Sequence, residues 1–282
     1  MKATIQYINS ELAGLYPVSE IEGFTRIIFE VVCGWSFTEQ VVKKHEKILK
    51  TDFSNIQKIV FRLKKFEPIQ YILGETEFYG LKIKVNPSVL IPRPETEELV
   101  QWITQCKLPV NARILDIGTG SGCIALALKS LLKNAEVFGV DVSESALVVA
   151  RQNAIGNSLD VGFFQSDILK WNECEWKIYD VIVSNPPYIR ESEKQQMHAN
   201  VLEYEPSNAL FVNDNDPLVF YRAISAFSKK YLAKNGKLFF EINENLGLEM
   251  NDLLLEFGFR DIEMKKDING KTRMVSCRNE IF

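Results

Sequence analysis

The spacing of apolar residues changes character near residue 75. Before that point, apolar side chains recur at the three- and four-residue spacing of amphipathic helices, as in Phe24, Ile27 and Val31. After it, short apolar runs alternate with helix-like stretches to the end of the chain, which is typical of a mostly parallel sheet with crossover helices. The pattern predicts an α/β protein with a helical domain over residues 1–75, a hairpin linker over 76–92 and a sheet domain over 93–282.

Local signals place several boundaries within this outline. Residues 19–22 read as a capping box that begins a helix, since Glu22 follows Ser19 by three positions, and residues 36–39 read as another helix start. Residues 76–85 alternate in polarity around Gly80, as a β-hairpin does. Pro92 and Pro94 then lead into a helix whose first turn is acidic, which suits the positive end of the helix dipole.

A glycine-rich turn follows the first apolar run of the larger region. Residues 114–117 predict a strand, 118–122 read Gly-Thr-Gly-Ser-Gly, and 123–128 open a helix. Glycines allow a ligand to approach the backbone closely, and an acid before them, Asp116, suits a cationic amine or sulfonium rather than a pyrophosphate. Asp141 and Asp167 end the next two predicted strands, where a carboxylate accepts hydrogen bonds from ribose hydroxyls or meets a base. Each acid alone is more often a strand-end cap, but together they predict a nucleoside-type site.

The stretch Asn-Pro-Pro-Tyr at 185–188 directly follows another buried run, 179–183. Two prolines end a strand, because neither has an N–H group to donate and each has a fixed φ. The resulting stiff loop presents the Asn185 amide and the Tyr188 ring, which suit a planar group bearing an N–H.

These motifs together resemble the S-adenosylmethionine-dependent amino-methyltransferases. The longer stretches Glu-Pro-Ile-Gln-Tyr-Ile-Leu-Gly at 67–74, Ile-Pro-Arg-Pro-Glu-Thr-Glu at 91–97 and Tyr-Glu-Pro-Ser-Asn-Ala-Leu at 204–210 narrow the resemblance to the release-factor glutamine methyltransferase family (HemK/PrmC). Residues 211–217 and 241–247 depart from the family's usual pattern, which affects local loop shape and substrate fit.

The resemblance implies a Rossmann-like domain of seven strands, the last of them antiparallel, behind a small helical domain that helps to recognise the substrate. It implies S-adenosylmethionine as cofactor and, as acceptor, the glutamine of the Gly-Gly-Gln motif of class-1 peptide-chain release factors. Asn185 and Tyr188 are the expected catalytic residues, and Pro186 and Pro187 join them in binding the substrate. The expected cofactor-binding residues are Asp116, Gly118, Thr119, Gly120, Ser121, Gly122, Asp141, Asp167, Ile168 and Asn185.

Composition narrows the alternatives. The net charge of −4 disfavours a DNA adenine methyltransferase, which needs a basic surface for phosphates. Methylation of a ribosomal-protein glutamine stays open, and so does a cofactor-binding scaffold without activity. Five scattered cysteines without a Cys-x-x-Cys pair, and no secretory pattern at the N-terminus, predict a cytoplasmic protein without disulfides, and two distant histidines argue against a metal site. We expect neither membrane nor direct nucleic-acid partners.

Overall fold

The computed structural model describes residues 1–280, without the side chains of Gln196 and Ala199, and divides the chain into two compact units. The helical unit comprises Met1–Gly74 with His198–Tyr204, and the sheet unit comprises Glu75–Met197 with the chain from Glu205 onward. Among the described residues, no helix is long and apolar enough to cross a membrane.

In chain order the helices are α1 (Lys2–Leu12), α2 (Val18–Cys33), α3 (Phe37–Val42), α4 (Lys50–Leu63), α5 (Ile69–Leu73), α6 (Pro94–Gln105), α7 (Cys123–Leu131), α8 (Glu144–Gly156), α9 (Ala199–Tyr204), α10 (Ser207–Leu210), α11 (Val219–Tyr231) and α12 (Gly247–Glu256). The strands are β1 (Glu75–Phe78), β2 (Leu81–Lys84), β3 (Arg113–Ile117), β4 (Glu136–Asp141), β5 (Gly162–Gln165), β6 (Tyr179–Ser184), β7 (Ile189–Arg190), β8 (Phe211–Val212), β9 (Leu232–Glu241), β10 (Phe259–Lys266) and β11 (Thr272–Asn279).

The helical unit packs one apolar face from each of its longer helices into a common core. Ile8 of α1, Phe29 of α2 and Val60 of α4 are fully buried there. The helix start predicted at residues 36–39 is confirmed: α3 begins at Phe37, and Ser36 and Glu39 form a capping box in which each side chain accepts from the other's backbone N–H. The capping box at Ser19 was a wrong prediction: α2 begins at Val18, and its N-cap residue is Pro17, whose fixed φ leads directly into the first turn.

The sheet unit is built on seven strands in the order β10-β11-β9-β6-β3-β4-β5. Neighbours from β9 to β5 run parallel, while β11 runs antiparallel to both β9 and β10. The α/β class and the seven-stranded order with an antiparallel last strand are therefore confirmed. Parallel strands buried on both faces need apolar side chains throughout, and Leu115, Ile182 and Leu238 of the central strands are fully buried.

The predicted hairpin is β1 and β2, paired antiparallel. Its turn residues Tyr79 and Gly80 both have positive φ, 51° and 75°, the combination whose twist matches that of the flanking strands. Within the sheet unit, Asn153 of α8 holds the hairpin by accepting from the Lys84 N–H and donating to the Lys84 carbonyl. After the hairpin, α6 begins with Pro94 at its first position and carries Glu95 and Glu97 in its first turn, as predicted.

Candidate active site

A cavity lies at the carboxyl edge of the parallel strands. Strand β3 has β4 on one side and β6 on the other, so the chain reverses its direction of winding at β3, which is where open α/β sheets bind ligands. The cavity is lined by the loops that follow β3, β4, β5 and β6, by residues just before and within α6, and by Phe220 and Ile224 of α11. Elements distant in sequence thus contribute to one site.

The glycine-rich loop after β3 takes a backbone path that ordinary residues rarely adopt. Gly118, Gly120 and Gly122 have φ values of 72°, 54° and 82°. The first two line the cavity, and a Cβ on either would meet no atom within 4 Å, so the loop leaves room for a ligand. At Gly122, which does not line the cavity, a Cβ would approach the Ala150 Cβ to 3.1 Å, so this glycine allows α7 to pack against α8.

Asp116 stands behind this loop rather than in the cavity. It is fully buried, and the Thr119 hydroxyl donates to its Oδ2 at 2.6 Å. Burial raises the pKa of Asp116 to about 7, although the bond from Thr119 and the Ala125 N–H oppose the rise. Thr119 and Ser121 themselves line the cavity. Asp116 therefore fixes the loop that would hold a ligand.

Asp141, the last residue of β4, does line the cavity. Its Oδ2 accepts from the Gly120 N–H and its Oδ1 from the Ser143 N–H, both at 2.9 Å. Burial raises the pKa of Asp141, and these backbone bonds oppose the rise. Because each carboxylate oxygen has a further lone pair, Asp141 can still accept from ligand hydroxyls.

Asp167 and Ile168 follow β5 and complete that wall of the cavity. Asp167 caps the short 3₁₀ helix Ile168–Glu173 by accepting from the Leu169 N–H at 3.0 Å. The glycine loop, Asp141 and Asp167 thus form one continuous surface.

The Asn-Pro-Pro-Tyr loop begins where β6 ends. The Ser184 hydroxyl donates to the Ile117 carbonyl at 2.7 Å and so joins the ends of β6 and β3. Asn185, Pro186 and Pro187 line the same cavity as the glycine loop. The structure therefore brings together the two motifs, which lie far apart in the sequence.

Tyr188 is placed differently from its neighbours in the motif. It is not among the residues that line the cavity, and its ring packs against the apolar core of the sheet. Its hydroxyl donates to Glu241 Oε1 at 3.0 Å, and burial raises the pKa of Tyr188. Tyr188 therefore anchors the loop to β9, and its predicted stacking on a substrate amide stays a prediction.

Sequence reasoning assigned no role to Glu241 or Thr96. Glu241 ends β9 with 2% exposure, and the Thr96 hydroxyl donates to its Oε2 at 2.7 Å. Burial raises the pKa of Glu241, while the bonds from Thr96 and Tyr188 and the charge of Arg273 oppose the rise. The signal for Glu241 was an acid at the end of an apolar strand, the pattern that had singled out Asp141.

A second buried acid holds the segment before α6. Glu205 has a side chain that is 1% exposed and forms an ion pair with Arg93, which lines the cavity. The same carboxylate accepts from the Ile91 N–H at 3.3 Å. Residues 91–97 and 205–210 of the sheet unit thus meet and build one wall of the site.

Comparison with known proteins identifies the chain. A methyltransferase small domain matches residues 96–213, and a PrmC N-terminal domain matches residues 4–74. The release factor glutamine methyltransferase of Flavobacterium psychrophilum is 47% identical over 96% of this chain and 95% of its own length. The chain belongs to the release factor glutamine methyltransferase family. The resemblance read from the motifs is confirmed.

Further relatives agree with this assignment. The family member from Bacteroides thetaiotaomicron is 42% identical over 98% of this chain and 99% of its own length. Among solved structures, a methyltransferase from Pyrococcus furiosus has a TM-score of 0.55 at 20% identity and covers 81% of this chain and 100% of its own. The Thermus thermophilus 16S rRNA N2 G1207 methyltransferase has a TM-score of 0.52 at 20% identity, over 73% of this chain and 50% of its own. These two structures support the methyltransferase fold of the sheet unit.

Proposed function

We propose that this protein transfers a methyl group from S-adenosylmethionine to the side-chain amide nitrogen of the glutamine in the Gly-Gly-Gln motif of class-1 peptide-chain release factors. The observation that carries the proposal is the shared cavity: Asn185 and Pro186 line it together with Gly120 and Asp141. An acceptor site for a planar amide thus adjoins a site suited to a nucleoside. The names of the relatives supply the substrate class.

The residues of the cavity fit the cofactor. Gly118 and Gly120 leave open space beside the backbone, and Asp141 has lone pairs left for ribose hydroxyls. Asp167 and Ile168 line the same cavity, and we expect them to contact the adenine. When bound, S-adenosylmethionine would supply a methyl group activated by its sulfonium. The rest of the cofactor is then a neutral thioether, a leaving group that needs no acid catalyst.

The chain's own residues act on the acceptor. A glutamine amide nitrogen is a weak nucleophile because its lone pair is delocalised into the carbonyl. Among the described residues that line the cavity there is no lysine or histidine to act as a base. The Asn185 side-chain oxygen and the Pro186 carbonyl would accept the two amide hydrogens, orient the nitrogen and stabilise the positive charge that develops on it. The carbon–sulfur bond would break as the carbon–nitrogen bond forms, and the methylated nitrogen would then release one of its two hydrogens as a proton to solvent.

The helical unit is the proposed recognition domain for the release factor. The family model that matches residues 4–74 supports a dedicated N-terminal module, separate from the methyltransferase region. The division into 1–75, 76–92 and 93–282 stays a prediction about function, and so does a cytoplasmic location.

The deciding experiment offers three substrates in parallel with isotopically labelled S-adenosylmethionine: a class-1 release factor, a ribosomal protein and duplex DNA. We expect label on the release factor, and mass spectrometry should place it on the glutamine of Gly-Gly-Gln. A release factor with that glutamine replaced by alanine is the matched control and should take up no label. Preferential labelling of the ribosomal protein or the DNA would overturn the proposed substrate.

A further inference from the structure

A chain of hydrogen bonds connects Asn185 to a buried acid on a neighbouring strand. Asn185 Nδ2 faces Thr96 Oγ1 at 3.5 Å, and the Thr96 hydroxyl faces Glu241 Oε2 at 2.7 Å. Thr96 is 3% exposed and Glu241 2%. The contact between Thr96 and Glu241 is therefore largely shielded from water and must be satisfied within the protein, whereas the partly exposed Asn185 lines the cavity, as Thr96 also does.

The sheet and α6 set this geometry. In the parallel pairing of β6 with β9, Ser184 lies opposite Phe240, so Asn185 and Glu241 follow at corresponding positions of adjacent strands. Thr96 comes from the first turn of α6, which Pro94 begins. Backbone elements of the sheet unit therefore hold all three side chains.

The hydroxyl of Thr96 has one proton, and Glu241 takes it. Both carboxylate oxygens are acceptors here, Oε2 from the Thr96 hydroxyl and Oε1 from the Tyr188 hydroxyl, so Thr96 is the donor in the short contact. Oγ1 then has only lone pairs to offer Asn185. The Asn185 amide must turn its NH₂ group toward Thr96 and its Oδ1 away from it.

The opposite orientation of the amide would be unfavourable. It would place Oδ1 against the Thr96 oxygen, two acceptors without a proton between them, in a buried setting where an unmade hydrogen bond costs about 1–3 kcal/mol. It would also present NH₂ rather than oxygen to a substrate amide that itself brings N–H groups. Only one orientation of Asn185 both satisfies Thr96 and accepts from the substrate.

We propose that Thr96 and Glu241 are positioning residues that fix the orientation of the Asn185 side-chain amide, with Oδ1 toward the acceptor nitrogen. This role rests on the proposed function, because it concerns the same methyl transfer. It gives the buried acid of β9 a task separate from its bond to Tyr188. Glu241 does not line the cavity and would act only through its neighbours, whereas Thr96 does line it, so the test must separate positioning of Asn185 from direct contact with a ligand.

The test is a double-mutant cycle of Thr96→Val and Asn185→Ala, with release factor as substrate. Valine keeps the shape of threonine without its hydroxyl. We expect Thr96→Val to lower kcat about 10- to 100-fold, because one preorganised acceptor loses its orientation, with little change in KM for S-adenosylmethionine. Thr96→Ser, which keeps the hydroxyl, should restore kcat to within about threefold of the wild type. In the Asn185→Ala background, Thr96→Val should lower kcat by less than about threefold more.

The same substitution elsewhere on the helix is the matched control. Thr104→Val, also on α6, removes a hydroxyl that donates only to the Gln101 carbonyl and should leave kcat at the wild-type value. Should Thr96→Val not fold, Glu241→Gln takes its place in the cycle, because an amide can no longer serve as acceptor for both hydroxyls.

The outcomes separate the two proposals. If the wild type methylates no release factor, the proposed function fails. Two outcomes with an active wild type would refute the positioning role while the proposed function stands. In the first, Thr96→Val has the wild-type kcat; in the second, Thr96→Val lowers kcat by the same factor in the Asn185→Ala background as in the wild type. A KM for S-adenosylmethionine that rises in parallel with the loss of kcat would assign Thr96 to cofactor binding instead.

Discussion

Asp116 makes the stability of the ligand-free protein depend on pH in a definite direction. Its pKa is raised from 3.8 to about 7 by complete burial. Between these values the folded state binds a proton that the unfolded state has already released. The favourable contribution is therefore fully present below pH 3.8 and is lost as the pH rises through about 7.

The magnitude follows from the two pKa values. A shift of about 3 units corresponds to about 4 kcal/mol over the full range, at about 1.4 kcal/mol per unit. Between pH 5 and pH 8, where unfolding is readily measured, the two titration curves give a loss of about 2–3 kcal/mol in the free energy of unfolding. Asp116→Asn removes this ionisation. From pH 5 to pH 8 the free energy of unfolding of the variant should therefore fall by about 2–3 kcal/mol less than that of the wild type.

The assay is urea unfolding of wild type and Asp116→Asn at several pH values from 5 to 8, without ligand. At each pH the free energy of unfolding of the variant is subtracted from that of the wild type, and the quantity compared is how this difference changes with pH. A pH-independent cost of placing an amide beside Thr119 then cancels. The contribution from Glu241, which is not among the groups that shift the pKa of Asp116, cancels as well. Asp160→Asn, at an exposed position of the same unit, is the control and should follow the wild type. Equal pH slopes for wild type and Asp116→Asn would refute the reasoning.

Three further predictions concern the site. Asn185→Ala should lower kcat by about two to three decades, or about 3–4 kcal/mol, with nearly unchanged S-adenosylmethionine affinity; wild-type turnover of release factor would contradict the mechanism. Asp141→Ala should weaken cofactor binding by about 1.5–3 kcal/mol in calorimetry, and equal affinities would rule out its contact with the ribose. Arg93→Ala removes the ion-pair partner of the Glu205 carboxylate, which among the described residues then keeps the bond from the Ile91 N–H, and should lower the free energy of unfolding by about 1–3 kcal/mol; Arg93→Lys should lose less, and an unchanged urea midpoint in Arg93→Ala would show that the pair contributes nothing.

The sequence predicted the parts of the site that follow one rule, that the carboxyl ends of parallel strands converge. Gly120, Asp141 and Asn185 each come directly after or at the end of a recognisable apolar run, and all three line the cavity. Their proximity needed no knowledge of strand order, because every such strand ends at the same edge.

The sequence could not place contacts that depend on the order of strands and on helix docking. Thr96 meets Glu241 across 145 positions, because β6 pairs with β9 and α6 packs nearby. No local pattern encodes that pairing. The hydroxyl of Tyr188 likewise turns toward β9, although the motif alone suggested a ring that faces the ligand.

Three acids at the carboxyl edge share one arrangement: Asp116 and Glu241 are buried, and Asp141 is partly buried. Asp116 accepts from Thr119, Asp141 from Gly120 and Ser143, and Glu241 from Thr96 and Tyr188. Burial raises the pKa of each, so each opposes folding when it is ionised.

All the donors to these acids belong to the loops and side chains that build the site. The acids therefore hold the glycine-loop backbone and the Asn185 side chain in fixed positions before a ligand arrives. Their ionisation lowers the stability of the protein at neutral and alkaline pH. It follows that replacing such an acid by its amide can yield a protein that is more stable at pH 8 and yet a poorer catalyst. The separation of these two effects is what distinguishes preorganisation of the site from simple maintenance of the fold.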